Sequence, residues 1–245
     1  RSSTRLGMLR TAAAPRLRRP WVTAVRRLFI QTETTPNPES LKFIPGKPVL
    51  ESGTRDYRSL KDAQASPLAR RLFATEGVSS VFLSTDFLTV GKQKDSSWVA
   101  LKPLVFGAIM DHYAAGDPVL LNGEGAGEEL DSLTIRDDDS EVVQMIKELL
   151  EMRIRPSVQE DGGDIVYRSF DVETGSVYLE MQGSCAGCPS SSVTLQAGIE
   201  NMLRHYIPEV KEVKNIGPGV DDLDEEGFGE VNMMDMVKTK PPPPN

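Results

Sequence analysis

Residues 114–139 divide the chain. Within them, Asn122-Gly123-Glu124-Gly125-Ala126-Gly127-Glu128-Glu129 is glycine-rich and acidic, and Asp137, Asp138 and Asp139 follow. Such a composition has no apolar face to bury and reads as a flexible spacer. Its GxGxG spacing is that of a phosphate cradle, but no strand leads into it and carboxylates crowd it. A chain of 245 residues interrupted in this way is expected to form two small domains, residues 30–113 and 140–216. Its apolar content of 39% suits two modest cores better than one large one.

The two ends carry opposite charge. Residues 1–29 contain eight arginines (Arg1, Arg5, Arg10, Arg16, Arg18, Arg19, Arg26 and Arg27) among Ser, Thr, Ala and Leu, and the first acidic residue is Glu33. This is the composition of a mitochondrial transit peptide, and it predicts import into the matrix. The last segment, residues 217–245, is acidic (Asp221, Asp222, Asp224, Glu225, Glu226) and rich in proline at its end, and is expected to be disordered. Without the eight arginines the formal charge moves from −8 to −16. A chain this acidic has no general attraction to phosphate backbones, which argues against a nucleic-acid partner. No apolar run approaches the roughly 20 residues that span a bilayer, so no membrane partner is expected.

In residues 30–113 the patterns alternate between strand and helix. Leu41–Ile44 and Pro48–Leu50 flank a Pro-Gly-Lys turn and predict a hairpin. Ser66-Pro67 opens a short helix through Phe73, with Ser as cap and Pro in the first turn. Val78–Leu83 and Phe87–Val90 form a strand pair about Thr85-Asp86, and Trp98–Tyr113 an amphipathic helix with Leu101, Leu104, Val105, Ala108, Ile109 and Tyr113 inward. His112, near the end of that helix, reads as a capping or surface histidine. No catalytic constellation stands out.

Residues 140–216 predict an α-β-β-α-β unit, so that both domains are mixed and the class is α+β. Asp139 or Ser140 caps a helix marked by Val143, Ile146, Leu150 and Ile154, which Pro156 ends or kinks. Asp161-Gly162-Gly163-Asp164 is a turn, Ile165–Phe170 and Ser176–Gln182 are strands, and a helix from about Ser190 to Tyr206 buries Leu195, Ile199, Met202 and Tyr206. His205 falls on the flank of that stripe. Val210–Ile216 can add a third strand.

Cys185 and Cys188 are the only cysteines, three apart in Gly183-Ser184-Cys185-Ala186-Gly187-Cys188-Pro189, between a predicted strand and a predicted helix. Thiol ligands must ionise, and the unpaired N–H groups at a helix mouth favour the thiolate. Gly183 and Gly187 let the backbone bend around a bulky inorganic core. A tetrahedral zinc or iron–sulfur site takes four ligands, and one chain offers two thiols. Either two chains pool their pairs around one centre, or the pair does dithiol chemistry alone. The turn by itself leaves an iron–sulfur carrier, a zinc bridge between subunits and a thioredoxin-like oxidoreductase open. No aromatic residue precedes Cys185, and the pair lies late in its unit, both unlike the last of these.

Two sets of residues carry a family resemblance. Glu160-Asp161-Gly162-Gly163-Asp164 upstream of Gly183–Ser191 resembles the Nfu-type iron–sulfur scaffold domain. Phe29–Pro38 and Ser40–Gly46 resemble the N-terminal domain of the mitochondrial members. The resemblance implies an N-terminal and a C-terminal Nfu domain and a non-enzymatic carrier. It further implies a [4Fe–4S] cluster shared between two subunits, with Cys185 and Cys188 of each as ligands. Expected partners are a second copy of the chain in the cluster-loaded homodimer or higher oligomer, upstream cluster donors, and apo-proteins such as lipoyl synthase and respiratory-complex subunits.

Overall fold

The computed structural model describes residues 29–121, 131–186 and 189–217. The predicted import segment up to Leu28, the glycine-rich centre of the predicted spacer, Gly187, Cys188 and the acidic tail after Gly217 lie outside the described residues.

The first core is built on strands β1 (Gln31–Thr34), β2 (Ser40–Ile44), β3 (Arg55–Tyr57), β4 (Val78–Leu83) and β5 (Leu88–Lys92). They form one sheet in the order β1-β2-β5-β4-β3, with every neighbouring pair antiparallel. Helices α1 (Pro67–Phe73) and α2 (Trp98–Ala115) supply Leu68, Leu72, Leu101, Val105 and Ile109 to the core that Phe43, Val81, Leu83, Leu88 and Val90 complete. The Ser66 hydroxyl accepts the Ala69 N–H at 3.1 Å, with Pro67 in the first turn, as the cap pattern predicts. The Ser97 hydroxyl caps α2 in the same way, and Gly116 ends it at φ +73°.

The expected hairpin of Leu41–Ile44 with Pro48–Leu50 does not form. β2 pairs with β1 and β5 instead. Val49 and Leu50 are buried, but they donate to the carbonyls of Thr85 and Ser84 outside any ladder. Within α2, Leu104 points to solvent.

His112 is also corrected: it is neither a cap nor a surface residue. It is fully buried, packs edge-on against Tyr113, and neither ring nitrogen has a hydrogen-bond partner among the described residues. Burial holds its pKa below the ordinary value, the Arg71 cation adds to this, and Asp117 opposes it. A lowered histidine pKa means that the unfolded chain takes up the proton first as pH falls. The first domain should therefore lose stability as pH drops from about 7.5 through 6.5 towards the lower folded-state value. His112→Phe is expected to flatten that dependence and to raise stability at pH 6, because an apolar ring leaves no buried nitrogen unpaired. Thermal unfolding of the full chain between pH 7.5 and 5.5 checks this; an equally steep wild-type and variant dependence refutes it.

The second core begins with α3 (Glu141–Leu149), capped by the Ser140 hydroxyl on the Val143 N–H. The helical path continues through a wider π-type turn, Leu150–Ile154, into α4 (Arg155–Glu160). Pro156 sits in the first turn of α4, so the helical path runs through the proline rather than ending at it. β6 (Gly163–Asp171) and β7 (Ser176–Gly183) form an antiparallel hairpin. α5 (Pro189–Tyr206) then crosses over to bring β8 (Glu212–Asn215) parallel to β7. Ile146, Leu150, Ile165, Leu179, Ile199 and Leu203 are at the centre of this core. The buried stripe of α5 runs through Ile199 and Leu203 and continues in Ile207 just after the helix, while Tyr206 is exposed, one position off the expected face. His205 is exposed, on the flank.

Part of the predicted spacer is structure. Leu133 is buried in the second core, the Ser132 hydroxyl accepts the Tyr167 N–H at 3.0 Å, and Asp131 pairs with Arg155. Residues 131–139 therefore form a strap on the second domain.

Candidate metal centre

β7 ends at Gly183, whose φ of +65° turns the chain out of the sheet. Ser184–Ala186 then make a single 3-10 turn before α5. The Asp161-Gly162 turn and the start of β6, where the sequence predicted a longer turn through Asp164, lie directly beneath. Gly163 pairs with Gly183, the Ser184 N–H donates to the Gly162 carbonyl at 3.2 Å, and the Ser184 hydroxyl donates to the Asp161 carbonyl at 2.6 Å. Cys185 faces inward and is 7% exposed. A Cβ added to Gly163 would lie 2.8 Å from its Sγ, so the missing side chain is what seats the thiol. Cys188, the second predicted ligand, lies outside the described residues.

Asp164 anchors this platform. It is fully buried and accepts two bonds from the Arg155 guanidinium, Nε to Oδ1 and Nη2 to Oδ2, each at 3.0 Å. The Ile165 N–H and the Thr54 hydroxyl complete its shell. Arg155 also reaches Glu151 at 2.7 Å and Asp131. Burial works against the Arg155 cation, but the hydrogen bonds and charge of Asp164 outweigh it and hold the arginine pKa above its ordinary value. Sequence reasoning took Asp164 as a turn residue and passed over Arg155, because a charged pair reads the same buried or exposed.

The first domain supplies the other wall. The Asn37 side-chain amide donates to the Ser184 carbonyl at 3.2 Å, and the Thr89 hydroxyl donates to the Gly162 carbonyl at 2.7 Å. Lys42 donates to the carbonyls of Gln159 and Glu160. Burial raises the Asp56 pKa, with the Arg58 cation and, to a lesser degree, the Gly183 N–H opposing it. A cavity of about 370 Å³ lies here, lined in part by Asn37, Asp56, Phe82, Lys92, Gly183 and Ala186. A second cavity of about 600 Å³, lined by the Arg155–Asp164 and Lys147–Asp139 pairs, does not reach Cys185.

Residues 30–116 match the family model described as "Scaffold protein Nfu/NifU N terminal", and residues 146–214 match "NifU-like domain". The chain belongs to the mitochondrial Nfu family of iron–sulfur cluster scaffolds. It is 55% identical over 194 residues to "NifU-like protein 5, mitochondrial" of Arabidopsis thaliana, covering 79% of this chain and 70% of the relative. It is 53% identical over 193 residues to "NFU1 iron-sulfur cluster scaffold homolog, mitochondrial" of Homo sapiens, covering 78% and 73%. In this Nfu chain the two family regions meet at the cysteine turn, a contact that neither motif revealed by itself. Among the described residues no group of three or more His, Cys, Asp and Glu side chains could hold a metal ion.

Proposed function

We propose that the protein carries a [4Fe–4S] cluster between two chains, held by Cys185 and Cys188 of each, and passes it to apo-proteins in the mitochondrial matrix. The cluster is cargo, received from upstream donors and surrendered to acceptors such as lipoyl synthase and respiratory-complex subunits. The reading rests on one observation: a chain of the scaffold family holds only two cysteines, three apart, at a strand-to-helix turn. Four thiolates complete a cluster, so two such turns must meet, and a two-fold arrangement closes the site. A site built across two subunits opens when they part, which suits delivery rather than residence. No turnover of substrate is involved, and the protein acts as a carrier, not a catalyst. The dithiol reading finds less support, because the pair follows an antiparallel hairpin and the human relative is named as a scaffold.

Anaerobic reconstitution with iron and sulfide tests the ligand assignment. Wild-type protein should turn brown and hold about four irons per dimer. Cys185→Ser and Cys188→Ser should each lose the chromophore while the second domain stays folded. Undiminished cluster content in either variant would remove that cysteine from the ligand set.

A further inference from the structure

The sheet of the first domain has two faces of opposite character. One is apolar and covered by α1 and α2. On the other, Ser40, Lys42, Phe82 and Thr89 alternate with the core residues, and all four are 8% exposed or less. A polar face on an antiparallel sheet ordinarily meets water. Here it meets the second domain, and its contacts converge on the residues that carry Cys185. Gly162 and Gly183 press into it so closely that a Cβ on Gly162 would lie 2.9 Å from the Thr89 hydroxyl, and one on Gly183 3.0 Å from the Phe82 ring. Asn37 holds the Ser184 carbonyl.

Cys185 is tucked inward over Gly163, yet to ligate a cluster shared with a second chain its sulfur must turn outward. The two residues before it are the ones the first domain grips. We propose that the polar sheet face of the first domain is an internal latch on the cysteine turn. In the cluster-free chain it holds Cys185 inward and occupies ground that the turn of a second copy needs, so loading requires the domains to part. This rests on the two-chain reading above. The latch is made for release: its grip is chiefly hydrogen bonds to backbone carbonyls, with Phe82 as its main apolar element. Polar interfaces between domains of one chain are the kind that part and re-form.

The test is a near-isosteric double variant of the full chain, Asn37→Asp with Thr89→Val. Aspartate keeps the oxygen that accepts the Glu39 N–H at 2.9 Å, so the local turn survives, but it sets a carboxylate where an amide had donated to Ser184. Valine keeps the shape of threonine and loses the hydroxyl that donates to Gly162. Neither change touches a cysteine or the first core. The readout is the alkylation rate of Cys185 by iodoacetamide in reduced, cluster-free protein, resolved by peptide mass spectrometry and therefore independent of iron. Loss of two buried hydrogen bonds should raise the rate by about tenfold or more. An unchanged rate in a folded variant overturns the latch. Should the pair unfold the first domain, Thr89→Val alone applies the same criterion, with a rise of about threefold expected. The two-chain reading fails separately, on the mass of the loaded protein.

Discussion

Gly183→Ala should cost the second domain about 2–4 kcal/mol. Two effects add. At φ +65° an L-residue pays about 1–2 kcal/mol for the left-handed conformation. The new Cβ would also stand 2.7 Å from the Gly162 carbonyl oxygen and 2.9 Å from the Gly163 Cα, which are backbone atoms of the adjoining turn and strand and cannot swing aside. Relief can only come by prising the cysteine turn off its platform, so cluster retention should fall along with stability. Urea unfolding of the second domain in the full chain reads the first effect, and the decay of the reconstituted chromophore reads the second. A variant as stable as wild type would mean that the turn is far softer than its packing implies.

Arg155→Ala should be the most damaging change away from the cysteines, with a loss of about 3–5 kcal/mol. The reason is what remains behind. Asp164 is fully buried, and without the guanidinium the Ile165 N–H and the Thr54 hydroxyl are its remaining partners among the described residues. Asp131 and Glu151 lose their common partner at the same time. Arg155→Lys should recover only part of this, because an ammonium cannot supply two parallel bonds to one carboxylate. Equilibrium denaturation of both variants tests the order; a lysine variant no better than alanine would show that the carboxylate needs the planar fork itself.

The elements that were legible in the sequence are those whose signal is local. The capped starts of α1 and α3, the β4–β5 pair and the β6–β7 hairpin each combine a period with a turn or a cap. β1 gave no such signal: Gln31–Thr34 is a polar edge strand, largely exposed, and only pairing with β2 defines it. Pro48–Leu50 failed in the opposite way, since Val49 and Leu50 are apolar and buried but bond to Thr85 and Ser84 across a loop. Leu133 lay unnoticed among acids because one anchoring side chain makes no pattern. The site divides along the same line. Spacing and composition exposed the cysteine pair, while the Arg155–Asp164 anchor and the grip of the first domain are polar contacts between distant segments. Asn37 and Ser184 are 147 positions apart, and nothing in either neighbourhood names the other.

Native mass spectrometry of the reconstituted protein, kept anaerobic, weighs the central claim directly. The account predicts a species of two chains with one [4Fe–4S] cluster, which reverts to single chains when the cluster is removed by chelation. A single chain carrying a complete [4Fe–4S] cluster would contradict it.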